Sequence, residues 1–137
     1  MKKSLLIFIT LLTLLAGCGK SNSTAISVND DHKYQEERQS VEKVLGHDKH
    51  VQKVSVLFTK KEAIVGVEVK PFSKWNKKKY EKKWKKEIKR ALPDRDVLVS
   101  TDQKIIMETD RLNEKKMSEK KVKEKIKNLK ELAEEQT

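Results

Sequence analysis

Apolar positions along this chain change period several times, and each change marks an element. Residues 35–45 can place Val41, Val44 and Leu45 on one helical face, and Gly46 follows as a stop. The run 51–59 then alternates, with Val54, Val56 and Phe58 on one side and Ser55, Leu57 and Thr59 on the other. After Lys60-Lys61 the alternation resumes through Ala63, Val65, Val67 and Val69, so the two runs predict an antiparallel hairpin. The tightest turns need residues that tolerate positive φ, which lysine does not favour, so a slightly longer loop is expected. Pro71 ends the second run, and Ser73 is placed to cap a helix in which Tyr80, Trp84 and Ile88 recur every four residues, continued by Ala91 and Leu92. Pro93 stops that helix. Val97 and Val99 against Leu98 predict a third strand over 96–100. Ser100 and Gln103 then have capping-box spacing before a helix through Ile105, Ile106 and Leu112.

The predicted order is α-β-β-α-β-α, an α+β class with a small three-stranded sheet packed on helices. Helices on one face of the sheet are the economical solution, because the Tyr80–Trp84–Ile88 stripe and the apolar sheet face then bury each other. The partner of the third strand stays open. From 113 to 137 there is neither Pro nor Gly, and Val122, Ile126, Leu129 and Ala133 form a narrow stripe. The stripe covers less than two heptads, so a charged helix packed on the domain or extending from it is expected before a coiled coil.

The N-terminus has a different pattern. Lys2 and Lys3 precede an apolar run over 5–15, followed by Leu15-Ala16-Gly17-Cys18. The run is too short for a membrane span of about 20 residues. Positive end, apolar segment and small residues before a cysteine read as a lipoprotein signal peptide over 1–17, cut before Cys18, whose thiol then carries a diacylglycerol with acyl chains such as palmitate. The competing readings are a short buried segment and a secretory signal with an incidental Cys18. With the lipid reading, 18–34 is a lipidated cysteine and flexible tether, 35–112 a small α/β domain and 113–137 the helical tail. The domain is then expected at the outer face of the cell membrane. Cys18 is the single cysteine, which excludes an intramolecular disulfide and a multi-cysteine metal site.

Charge sharpens the picture. The chain carries a formal +11, and 39% of its residues are charged, so the core must be small. The densest stretch is the central helix. Lys74, Lys77, Lys78, Lys79, Lys82, Lys83, Lys85, Lys86, Lys89 and Arg90 stand there against Glu81 and Glu87. These cations are candidates for holding an anionic partner: an envelope polyanion, anionic lipid or an acidic protein. A signal peptide disfavours nucleic acid as that partner. The bland alternative is a solvated face that opposes aggregation. Trp84 belongs to the core stripe, whereas Trp75, beside Phe72, either closes the end of the core or touches a membrane interface.

Catalytic chemistry is poorly supplied. His47-Asp48-Lys49-His50 carries metal-ligand residue types, and His32 lies apart, but no second ligand cluster accompanies them, so no metal is expected. The four glycines form no phosphate loop and the serines no nucleophile elbow, so no cofactor is expected either. Asp94, Asp96, Asp102, Glu108 and Asp110 show no spacing that defines an acid–base pair; they are expected to end elements and neutralise lysines. An enzyme is not expected.

The segments VQKVSVLFTKKEAIVGVEV at 51–69 and DVLVSTDQKIIMETDRL at 96–112, with the lipobox at 15–18 and a charged helix between them, resemble the sporulation lipoproteins of the YhcN/YlaJ family. The resemblance implies a membrane-anchored protein of the developing or dormant spore, acting in spore formation, germination or outgrowth, with no catalytic residues to carry over. The Lys60-Lys61 turn, the density of lysine on the helix and the long charged tail depart from the family pattern. The element order is also similar to small α/β modules that build ring-like assemblies, a likeness of fold alone that leaves the oligomeric state open. The leading expectation is a non-enzymatic interaction or structural module. The alternative is a general envelope lipoprotein that binds an anionic wall polymer, anionic lipid or an acidic protein, and an envelope hydrolase is a third class.

Overall fold

The structure, a computed structural model, describes residues 23–136; Cys18 and the signal segment lie outside the described residues. In chain order the elements are strand β1 (Ala25–Val28), helix α1 (Gln35–Leu45), strands β2 (Val51–Phe58) and β3 (Glu62–Val69), and a 3-10 turn (Pro71–Asn76). Helix α2 (Lys77–Ala91), strand β4 (Asp96–Ser100) and helices α3 (Gln103–Asn113) and α4 (Glu119–Glu135) follow. The four strands form one sheet in the order β1-β2-β3-β4. β2 and β3 are the expected antiparallel hairpin, and β4 finds its partner in β3, to which it runs parallel.

The class is the expected α+β, but the sheet has four strands rather than three. The extra strand comes from residues expected to be flexible tether. β1 runs parallel to β2, with Ile26 opposite Val54 and Val28 opposite Val56. Asn29 ends it by using its side chain as a further backbone rung: its Oδ1 accepts from the Phe58 N–H at 2.6 Å and its Nδ2 donates to the Phe58 carbonyl at 2.9 Å. Asp30 then turns the chain at φ 51°, in the left-handed region that aspartate tolerates better than most residues. Tyr34 enters the core beside the Phe58 ring.

Helices cover both faces of the sheet, not one. On one face Val54, Val56, Phe58, Val65 and Val67 pack against Val41 and Leu45 of α1 and Trp84 and Ile88 of α2. On the other, Leu57 and Ile64, which face each other across the hairpin, pack against Ile105 and Leu112 of α3 and Val122, Ile126 and Leu129 of α4. The second face is apolar too, so it must also be covered. The tail helix, α4, does part of that covering. α3 lies close over Gly66, where a Cβ would sit 3.2 Å from the Ile106 Cα.

Local polar groups settle the element ends. In the hairpin Thr59 replaces a positive-φ turn: its N–H donates to the Glu62 carbonyl at 2.9 Å, and its Oγ1 accepts from the Lys61 and Glu62 amides. Ser73 does not cap α2; its hydroxyl bonds with His50 Nδ1 at 2.8 Å, and the 3-10 turn intervenes. Asp102, not Ser100, caps α3, accepting from the Lys104 and Ile105 amides at 2.9 and 3.2 Å. Ser100 instead accepts from the Asp102 N–H.

Candidate lysine-rich surface

The buried side of α2 is fixed at three points, which sets where its outer side looks. Trp84 is fully buried, and its Nε1 donates to Asp48 Oδ2 at 2.9 Å. Asp48 also accepts from the His50 amide and lies 3.5 Å from Lys83 Nζ. Burial works against the Asp48 charge, but the Trp84 N–H, the His50 amide and Lys83 together hold its carboxyl below the usual range. Glu81 accepts from both the amide and the hydroxyl of Thr101, at 2.8 and 2.7 Å, and so ties α2 to the end of β4. Tyr80 stacks on His50 with centroids 4.1 Å apart.

The outer side therefore presents its ammonium groups from a fixed helix backbone. Lys74 stands in the 3-10 turn, and Lys77, Lys78, Lys79, Lys82, Lys83, Lys85, Lys86, Lys89 and Arg90 stand along α2, all exposed. Helical spacing sorts most of them into two stripes. Lys78, Lys82, Lys85 and Lys89 lie on the Glu81 side, toward β4; Lys79, Lys83, Lys86 and Arg90 lie on the opposite side. Lys78 pairs with Glu81, and Lys83 with Asp48 and Glu87. Lys78, Lys82 and Lys85 of the first stripe border a cleft of about 390 Å3 between α2, the end of β4 and the end of α4, where Thr101, Asp102 and Ala133 complete the wall. At the start of β4 Asp96 is held below the usual carboxylate range by its bond to Lys130, against partial burial, with Lys89 and Lys85 adding to the field. Such an array suits extended or diffuse anionic charge, because ammonium groups act as mobile point charges rather than as planar forks.

Phe72 and Trp75 are 100% and 92% exposed, so Trp75 does not close the end of the core. His50 and Asp48, the residues of metal-ligand type in the loop before β2, are occupied with Ser73 and with Trp84 and Lys83. Among the described residues no group of three or more His, Cys, Asp and Glu side chains is placed to hold a metal ion.

A second polar centre has no signature in the sequence. Asp110 of α3 accepts from Lys53 Nζ at 2.6 Å and from the hydroxyls of Ser27 and Ser55, each at 3.3 Å, while Asn113 donates to Ser55 Oγ at 2.9 Å. The Lys53 bond, opposed by burial, holds the Asp110 carboxyl below the usual range. Asp110 thus joins Lys53 and both serine hydroxyls, and the cluster fastens β1 and β2 to α3. Three of the other four candidate carboxylates also serve the fold: Asp102 caps α3, Asp96 bonds Lys130, and Glu108 pairs with Arg111.

A family model described as sporulation lipoprotein YhcN/YlaJ matches residues 19–135, a span that takes in β1 through α4. No curated protein gives a match. No solved structure gives one either. Among the described residues no helix is long and apolar enough to cross a membrane.

Proposed function

We propose a role that proceeds from kinship: the chain belongs to the YhcN/YlaJ family of sporulation lipoproteins. In this reading Cys18 carries the lipid and holds the domain at the outer face of a cell, forespore or spore membrane. Two or more acyl chains on one residue give stable anchoring, at about 0.8 kcal/mol per buried methylene. The domain acts there without catalysis, as an interaction module in spore formation, germination or outgrowth. The observation that carries the interaction part is the pair of lysine stripes on a helix whose buried side is pinned through Trp84, Glu81 and Tyr80. Mobile ammonium groups on a pinned helix favour a polyanionic partner in the envelope, either a polymer or an acidic protein surface.

The test is genetic and direct. Deletion should delay germination or outgrowth, and Lys82→Glu, Lys85→Glu and Lys89→Glu combined should reproduce that delay while the protein still fractionates with membranes. Normal spores from the deletion strain, with steady vegetative expression, would replace the spore role with a general envelope role. Cys18→Ser should release the protein; unchanged membrane fractionation would remove the lipid anchor from the scheme.

A further inference from the structure

The strand register places three features at one end of the sheet. β2 starts where β3 finishes, with Val51 opposite Val69, and β1 enters at the same end, with Ala25 opposite Lys53. The Thr24 N–H donates to the Gly46 carbonyl at 3.1 Å, and the Lys70 N–H donates to the His50 carbonyl at 2.9 Å. The point where the chain enters the domain, the loop before β2 and the 3-10 turn after β3 therefore share this end.

That turn presents its aromatic side chains outward. Phe72 and Trp75 are almost wholly exposed, while Ser73 between them is buried and bonded to His50. The turn is held to the body, so its aromatic residues are presented rather than loose. Lys70, Lys74 and Lys77 flank them, all exposed. The nearby carboxylates are Asp48, engaged with Trp84, and Glu68, whose side chain borders a small cavity with Lys74 and Lys77. Aromatic residues rimmed by lysine match the layered chemistry of a bilayer surface: ring at the headgroup level, ammonium groups among anionic phosphates.

We infer that this end of the domain, with Phe72 and Trp75 at its tip and Lys70, Lys74 and Lys77 around it, docks into the interface of an anionic lipid bilayer. The inference rests in part on the lipid reading of Cys18. Only five residue steps separate Cys18 from Ser23. Fully extended, they span at most about 18 Å. An anchor on so short a lead keeps the entry end of the sheet against the membrane, and that is the end carrying the aromatic tip. The lysine stripes of α2 then run away from the membrane. The helix starts at this end, and the chain that leaves it reaches Asp96, whose N–H donates to the Lys61 carbonyl in the hairpin loop at the opposite end.

The test reads Trp75 in the full chain. The purified protein is reconstituted into vesicles of phosphatidylethanolamine and phosphatidylglycerol, with and without brominated acyl chains, and its intact mass is recorded for lipid attachment. Trp84 supplies the constant background, and Trp75→Ala isolates it. The Trp75 component should shift to the blue, lose half or more of its intensity to the brominated chains and become shielded from aqueous acrylamide. Phe72→Asp should reverse these changes without altering the circular dichroism. A Trp75 that stays open to acrylamide and untouched by bromine in a protein whose mass shows the lipid overturns the docking surface and leaves the Cys18 reading intact. Quenching in a protein without lipid removes the Cys18 reading and sustains the surface. A blue-shifted Trp75 without vesicles, together with a doubled particle mass, assigns the tip to a second copy of the chain and overturns the inference.

Discussion

Trp84→Phe tests how the basic helix is seated. The change keeps an aromatic ring in the core and removes the indole N–H, so Asp48 Oδ2 loses the donor now 2.9 Å away. The Asp48 side chain is only 10% exposed, and water cannot fully replace that donor. A hydrogen bond to a charged group contributes about 1.5–3 kcal/mol. Asp48 keeps the His50 amide and Lys83, which places the loss near the lower end of that range. The smaller ring also forfeits buried apolar area worth about 1 kcal/mol. The expected destabilisation at pH 7 is therefore about 2.5 kcal/mol, a large share of the roughly 5–15 kcal/mol typical of a domain. Urea denaturation followed by far-ultraviolet circular dichroism measures it without relying on the fluorophore being changed. Acid separates the two contributions. The Asp48 carboxyl is held below its ordinary value in the folded protein, so its stabilisation is complete above about pH 4 and is lost as pH falls through the folded value. Trp84→Phe relaxes that hold, so the gap between the two proteins should narrow toward about 1 kcal/mol as the aspartate protonates. A gap below about 1 kcal/mol at pH 7, or one that does not change on acidification, would refute the reasoning.

Gly66→Ala should cost about 1–2 kcal/mol, because a methyl would press on the Ile106 Cα and Cγ1 at 3.2 and 3.3 Å while the gain from a stiffer unfolded chain offsets only part of the strain. A melting temperature lower by about 5 °C is expected, and more for Gly66→Val; an unchanged value would mean that α3 lifts freely from the sheet. Ile126→Ala, in the fully buried part of α4, should cost about 3 kcal/mol in the same denaturation assay, and an unchanged midpoint would show that the tail helix is not part of the folded core.

Most elements are legible along the chain because a period persists for several residues and then meets a stop. Helix α1 ends just before Gly46, β3 shortly before Pro71 and α2 before Pro93, each at a residue that weakens or stops the pattern. β1 offers only Ile26 and Val28 among polar neighbours, and it becomes a strand because β2 presents an edge to it, which no local pattern records. The two-sided burial has a local trace in Leu57 and Ile64, apolar residues on the side that also carries Ser55 and Thr59. The stripe of α4 is the matching half of that signal. At the start of α3, Ser100 and Asp102 are both short acceptors two residues apart, and only backbone geometry chooses between them. The lysine stripes are legible because they follow from helical spacing alone. The exposure of Phe72 and Trp75 is not, since it depends on a 3-10 turn held by a serine–histidine bond. The Asp110 cluster draws on residues 27, 53, 55, 110 and 113, and only the tertiary fold brings them together.

The parallel pairing of β1 also decides how the domain bears a load. Tension between the segment ahead of Ser23 and the body of the domain runs along β1, whose four residues pair in register with β2 from Ala25–Lys53 to Val28–Val56. The rungs are then strained together in shear, not opened one after another as when a strand is peeled from its end. At the far end of the strand the Asn29 grip on Phe58 adds two further bonds that must slide before β1 can leave. The shortest strand of the sheet is thus the mechanical joint through which a pull on the N-terminus reaches the rest of the fold.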